Sequence, residues 1–214
     1  MMLLVLSAAL YAQKEVTKFL GIPVDGTKAA MIQKLKAKGF TTSPYDREVL
    51  VGTFNGERVN VRIGTNKGKV CRIMVCDANT MNETDIKIRY NTLCAQFKEN
   101  KKYMSLGDFV LAEDENIAYG MTIEHKRYQA DFFQLPSGMN EQGFVEAIMS
   151  SCKSKYTEEQ YKSFTEEQKK EMSKEIFDKL SKCWVWFVIS EHYGQYYISM
   201  FYDNVYNEAH GEDL

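Results

Sequence analysis

The side chains able to do chemistry in this chain are three histidines, five cysteines and one acidic loop. His125, His192 and His210 fall in predicted turns or in the tail, and none belongs to an H-E-x-x-H or a nucleophile motif. No P-loop, G-x-S-x-G or G-x-G-x-x-G occurs. Cys71, Cys76, Cys94, Cys152 and Cys183 are odd in number and include no C-x-x-C, which excludes a zinc ribbon or a thioredoxin-like pair. Each lies in an apolar context, where a thiol's pKa rises. Core packing is therefore the favoured reading, although a Cys–His nucleophile assembled only in space stays open. One bridge, such as Cys152 to Cys183, stays open for an oxidising compartment. Cys71 and Cys76, five apart in a predicted strand, point to opposite faces and do not pair with each other. Asp108, Glu113, Asp114, Glu115 and Asn116 gather oxygen ligands of the kind hard cations prefer. Their spacing is not that of an EF-hand and the loop glycine is missing, so they read as a solvated turn. No catalytic residue, metal or cofactor is assigned.

Binding chemistry is better placed, in the last hairpin. The runs 183–190 and 196–203 flank Tyr193-Gly194, and a two-residue turn there pairs residues whose numbers sum to 387. Trp186 then lies opposite Phe201, Val188 opposite Ser199 and Ser190 opposite Tyr197, with Trp184 and Asp203 on the same face. Val185, Phe187, Ile189, Ile198, Met200 and Tyr202 occupy the other face and are all core-like. The first face mixes large aromatics with Ser and Asp, which suits partial cover. Trp184, Trp186, Tyr197 and Phe201 are the candidate binding residues, since Trp and Tyr dominate interface hot spots. The competing reading is that a helix covers this face and the tryptophans are core.

Elements that would position these residues follow from periodicity. Met31, Ile32 and Leu35 give an apolar stripe over a helix at 27–38, capped by Asp25 or Thr27 and closed by Gly39. Asn55-Gly56 joins strands at 48–54 and 57–63, and Val59, Val61 and Ile63 alternate with Arg58, Asn60 and Arg62, so one face is buried. Asn66-Lys67-Gly68 turns the chain into a strand at 69–76. A second helix spans 82–102, with Ile86, Tyr90, Leu93 and Phe97 on one face and a capping box at Thr80 and Glu83. The spacing then predicts strands through 107–135, with a hairpin of 116–124 and 127–135 across His125-Lys126. A short helix is expected at 141–151. Thr157-Glu-Glu-Gln160 and Thr165-Glu-Glu-Gln168 read as capping boxes, the second opening a helix to about Lys182. The Lys- and Glu-rich stretch 153–175 reads as a solvated helical face or an inter-unit arm.

The chain has 214 residues, 44% hydrophobic and 26% charged, with 27 Lys and Arg against 29 Asp and Glu. That balance is of an ordinary globular protein and carries no electrostatic footprint for nucleic acid. No apolar run reaches the ~20 residues of a membrane span. The start, Met1 to Lys14, puts the apolar run Leu3–Leu10 before Ala12-Gln13 and reads as a signal peptide cleaved near Ala12, which implies export to the periplasm or the outside. The alternative is a buried N-terminal strand or helix.

The segment Leu20-Gly-Ile-Pro-Val-Asp-Gly-Thr27, with Leu35, Gly39 and Phe40, resembles uncharacterised exported proteins of gut anaerobes, as does the ending Tyr202-Asp-Asn204 with Gly211-Glu-Asp-Leu214. The helix-then-meander order over residues 20–135 is similar in topology to the β-lactamase-inhibitor-protein-like fold. Neither resemblance carries over a functional residue.

The expected architecture is α+β: antiparallel sheets built of meanders and hairpins, with helices packed on one face, as two tandem helix-plus-sheet units. The expected organisation is a signal-like segment 1–12, helix-plus-meander units over 13–135, and a helical segment with the final hairpin over 136–214. The expected function is that of an exported, non-enzymatic module binding a protein or a small ligand, without nucleic acid. A small hydrolase or other enzyme whose site is invisible in sequence is the alternative.

Overall fold

The computed structural model describes residues 16–153, 157, 159–160 and 163–209. The expectations for residues 1–12, for the Cys152 side chain and for His210 and the end of the tail lie outside them. The fold is α+β with an antiparallel sheet, as the hairpin signals require. In chain order the strands are β1 (Lys18–Phe19), β2 (Ile22–Pro23), β3 (Thr41–Thr42), β4 (Val49–Phe54), β5 (Glu57–Asn66), β6 (Lys69–Asp77), β7 (Tyr103–Met104), β8 (Gln129–Gln134), β9 (Trp184–His192) and β10 (Gln195–Asp203). The helices are α1 (Lys28–Ala37), α2 (Glu83–Glu99), α3 (Ile117–Thr122), α4 (Glu141–Lys153) and α5 (Glu166–Leu180). β1 and β2 form a small ribbon, and the other eight strands form one sheet in the order β3-β4-β5-β6-β10-β9-β8-β7. The two helix-plus-sheet units therefore share one sheet, with the C-terminal hairpin inserted at its centre.

Local chemistry explains the well-read elements. Thr27 caps α1 by accepting from Ala30 N–H, and Met31 and Leu35 are buried on its inner side. Asn55 and Gly56 both have positive φ (51° and 83°), as do Tyr193 and Gly194 (51° and 72°), which is what two-residue turns between twisted strands need. The β9–β10 register is that expected: Trp186 with Phe201, Val188 with Ser199, Ser190 with Tyr197. The α5 capping box forms, with Thr165 and Gln168 exchanging hydrogen bonds.

Three expectations are corrected, one being that helices pack on one face only, since α4 and α5 lie against the side of the sheet opposite α1 and α2. The cap of α2 is Asn82, which accepts from Asp85 N–H, so the helix starts after the Thr80 box. The stretch expected as the first strand of a 116–135 hairpin is the helix α3, and only Gln129–Gln134 is a strand, paired with β7 and β9. Asn116 accepts from Tyr119 N–H and starts the turn, and Gly120 lies against the Tyr128 hydroxyl, a close approach that a side chain there would block.

The main core lies between one face of the sheet and helices α1 and α2, and includes Phe19, Leu35, Val61, Ile73, Tyr90, Phe97, Phe132, Phe187 and Ile198. Phe97, Phe132 and Phe187 stack along it, with Phe132 and Phe187 nearly parallel at 5.9 Å. A second cluster joins Phe144, Ile148, Met172 and Leu180 of α4 and α5 to Met104, Phe133 and Leu135. Phe133 follows Phe132 in β8, and neighbours in a strand point to opposite faces, so α4 and α5 cover the other side of the sheet at its β7–β8–β9 end. Burial of each large apolar side chain contributes about 1.5–3 kcal/mol against the chain entropy lost on folding. Among the described residues no helix is long and apolar enough to cross a membrane.

Candidate functional site

The aromatic face of the final hairpin is built as a stack. The Trp186 ring lies on Phe201 at 4.0 Å and 14°, and Trp184 leans on Trp186 at 5.8 Å. Arg127 sits 5.0 Å from the Trp186 ring, and Arg72 sits 5.8 Å from Trp186 and 5.2 Å from Phe201, distances at which a guanidinium is attracted to the ring faces. Beneath the stack, Asp203 is buried. It accepts from Arg72 Nε (2.5 Å) and Nη2 (2.8 Å) and from Trp186 Nε1 (2.8 Å). That pairing holds the Arg72 guanidinium even more firmly charged than usual, because the hydrogen bond to Asp203 favours the cation. Trp184 Nε1 donates to Asp131 at 2.9 Å. Both indole N–H groups are thus spent inside the protein.

The four sequence candidates share this face but differ in exposure. Trp186 is 8% exposed. Trp184 and Phe201 are half-buried, Trp184 resting against the α4–α5 cluster. Tyr197 is half-buried two pairs further toward the turn, opposite Ser190. What the face offers a visitor is the edge of Phe201, the Tyr197 ring and the arginines.

A second feature, invisible in sequence, is a cleft of about 990 Å³ on the core side of the sheet. The sheet curls so that the β4–β5 turn on one side and β7–β8 on the other both reach the C-terminal half of α2. Asn55 Nδ2 donates to Gln96 Oε1 at 2.7 Å across one gap, and Phe97 packs on Tyr103 at 4.7 Å across the other. β1 closes the space: Gln134 accepts from Lys18 N–H (2.7 Å) and donates to the Lys18 carbonyl (3.1 Å) and to the Tyr103 hydroxyl (3.1 Å). Leu93, Phe97 and Met200 supply apolar lining, and Lys18, Lys101 and Lys102 supply cations. Burial pushes the Tyr103 hydroxyl up and the Tyr202 hydroxyl well up, so both stay neutral. No single run of sequence carries this site, since its residues span Val16 to Tyr202. Its local trace in the sequence is the Lys101-Lys102 pair just after α2.

Of the groups first considered for chemistry, Cys183 lines the cleft, where its Sγ donates to the Leu180 carbonyl at 3.1 Å, and the others lie elsewhere. His125 and His192 were both expected in turns; His125 is exposed in the loop before β8, whereas His192 is exposed as the last residue of β9, paired with Gln195. Cys71, Cys76 and Cys94 carry free thiols, and burial pushes that of Cys94 up to about 12. In the acidic loop, Glu115 accepts from the Tyr128 hydroxyl (2.5 Å) and Lys126 Nζ (3.1 Å), and Lys87 Nζ donates to the Glu113 and Glu115 carbonyls. Among the described residues no group of three His, Cys, Asp or Glu side chains is placed to hold a metal ion.

Comparison with family models, with curated proteins and with solved structures finds no match.

Proposed function

We propose that this chain is an exported, non-enzymatic binding module whose ligand site is the cleft between α2 and the two arms of the curled sheet. The cleft itself carries the reading. Its volume of about 990 Å³ is at the upper end of small-molecule sites, and it combines an apolar floor with a few fixed polar groups, as such sites do. Its lining is made of amides, hydroxyls, ammonium groups, apolar side chains and the Cys183 thiol, which is engaged with the Leu180 carbonyl, and these suit holding a ligand. The two described histidines lie outside it. N-phenylnaphthylamine, a neutral apolar fluorophore, is expected to bind saturably at one site per chain. Thr53→Trp, which puts an indole at an exposed position of the rim, is expected to weaken it. Absent or unsaturable binding overturns the reading. For export, N-terminal sequencing of protein recovered outside the cytoplasm is expected to start at Gln13; intact Met1 on a cytosolic product overturns that part.

The stacked face of Trp184, Trp186, Tyr197 and Phe201 supports a second contact, with a protein partner, because Tyr197 and Phe201 stay half-exposed beside Arg72 and Arg127. Trp186 is too deeply tied to Asp203 for an alanine there to report on binding alone. Tyr197→Ser with Arg127→Ser is the cleaner test in a pull-down from an exported-protein fraction, and unchanged capture by the folded double variant removes this face.

A further inference from the structure

Resting on the binding-module reading, we infer that the cleft selects amphipathic organic anions: a compact or linear apolar body carrying one carboxylate or sulfonate. The observation is a convergence of cations over an apolar floor. Lys18 comes from β1, and Lys101 and Lys102 come from the segment after α2, more than eighty residues along the chain, yet all three line one cavity. Among the described residues no Asp or Glu lines it. Among the described residues no carboxylate lies within ion-pair distance of any of the three ammonium groups, and Lys18 Nζ spends one donor on the neutral Ser137 hydroxyl at 3.0 Å. Elsewhere on the surface some cations are paired with carboxylates. Lys28 pairs with Glu48, Arg62 with Asp46, and Lys126 with Glu115 and Glu124.

The bland reading of Lys101 and Lys102 is compensation of the helix dipole. It does not account for the site. Lys98 already occupies the last turn of α2, the dipole's influence fades within that turn, and both lysines lie beyond the Asn100 cap. The bland reading also leaves Lys18 unexplained. Three cations with no carboxylate partner among the described residues raise the local concentration of anions. Leu93, Phe97 and Met200 then reward a ligand whose remainder is apolar. A simple inorganic anion would waste that floor, and a neutral lipid would leave the ammonium groups facing nothing.

The test uses the full chain and two related fluorophores in parallel: anilinonaphthalene sulfonate, which is anionic, and neutral N-phenylnaphthylamine. Dodecanoate and dodecanol serve as competitors. The sulfonate dye is expected to bind about 10-fold more tightly than the neutral dye, to weaken as salt is raised, and to be displaced by dodecanoate well below the dodecanol concentration needed. Exposed ion pairs are worth about 0.2–1 kcal/mol, so each lysine neutralised should weaken the anionic dye by roughly 1.4- to 5-fold. Lys18→Gln/Lys101→Gln/Lys102→Gln together should weaken it about 10-fold and leave the neutral dye within about 2-fold. These surface changes remove no core group, and an unchanged melting curve verifies the fold. Equal affinity for both dyes, or an anionic affinity indifferent to the triple substitution, overturns the anion inference while leaving the binding module standing. Saturable binding of neither dye overturns both.

Discussion

Arg89→Leu tests the packing logic that holds the cleft together. Arg89 is on α2 and Asp77 is the last residue of β6, with side-chain exposures of 10% and 4%. The guanidinium reaches Asp77 Oδ1 from Nη2 at 3.1 Å and Oδ2 from Nε at 3.5 Å, and Ile198 N–H donates to Oδ2 at 3.2 Å. Leucine at 89 leaves a carboxylate inside the protein with that one backbone N–H as partner. Breaking a buried pair in this way costs about 3–5 kcal/mol, because the remaining ion is desolvated without compensation. Since both groups are nearly inaccessible, solvent screening offers little discount. For a chain of this length a kcal/mol moves the melting temperature by about 2–4 °C, so the loss is expected at roughly 6–20 °C. Asp77→Asn keeps an acceptor for Ile198 N–H, and in the Arg89→Leu/Asp77→Asn double variant no charge is left behind. It should regain more than half of the loss, giving a coupling of about 2 kcal/mol or more. Urea unfolding followed by circular dichroism and by tryptophan fluorescence measures all four proteins. A single-variant loss below about 1 kcal/mol, or a double variant as unstable as the sum of the singles, refutes the argument. Because α2 also brings Leu93, Gln96 and Phe97 to the cleft, binding of the neutral dye should fail at the same urea concentration as the fold.

Three further outcomes follow from the geometry. In Gly120→Ala the new methyl would lie 1.9 Å from the Tyr128 hydroxyl, so the ring must leave Glu115, and thermal melts should show a loss of about 1–3 kcal/mol. Trp186→Phe keeps the stack on Phe201 but deprives buried Asp203 of an N–H, and urea midpoints should fall by the equivalent of about 1–3 kcal/mol, more than for an exposed ring such as Tyr45→Phe. Stability should fall at both pH extremes. The Tyr128 hydroxyl first and Lys126 second hold the Glu115 carboxyl below its usual value, and the Glu48 backbone N–H first holds Asp46 below its own, so their contribution is present above about pH 4.5 and lost as pH falls. Burial, then the bond to Glu115, pushes Tyr128 up to about 12, so its contribution is present below the free-tyrosine value of about 10 and is lost as pH rises through 12. Ultraviolet titration of tyrosine alongside urea unfolding checks the alkaline window, and Glu115→Gln should flatten the acid one.

The parts legible in the sequence are those decided within a few residues. Asn55-Gly56 and Tyr193-Gly194 each determine a turn because the two central residues alone must accept positive φ, and the turn then dictates every pair along its strands, from Gln195 with His192 to Tyr202 with Val185. Thr27, Met31 and Leu35 determine α1 in the same local way, and alternation at Val59, Val61 and Ile63 determines the buried face of β5. Where local signals conflict, tertiary contacts decide. The 116–124 stretch alternates well enough to read as a strand, but the Asn116 cap and the space that Gly120 leaves for Tyr128 make a helix of it. The placement of β10 beside β6, 120 residues upstream, has no local code, since any strand with one apolar face suits any other; burial of the whole face selects it. The same holds for the functional candidates. Hairpin register alone put Trp184, Trp186, Tyr197 and Phe201 on one face, whereas how deeply each is buried depends on Asp203, Arg72 and helices α4 and α5. The cleft belongs wholly to the tertiary structure. Lys18, Gln96, Lys101, Gln134 and Met200 become neighbours only because the sheet twists until both its arms meet α2, and twist is a property of packed strands that no single segment carries.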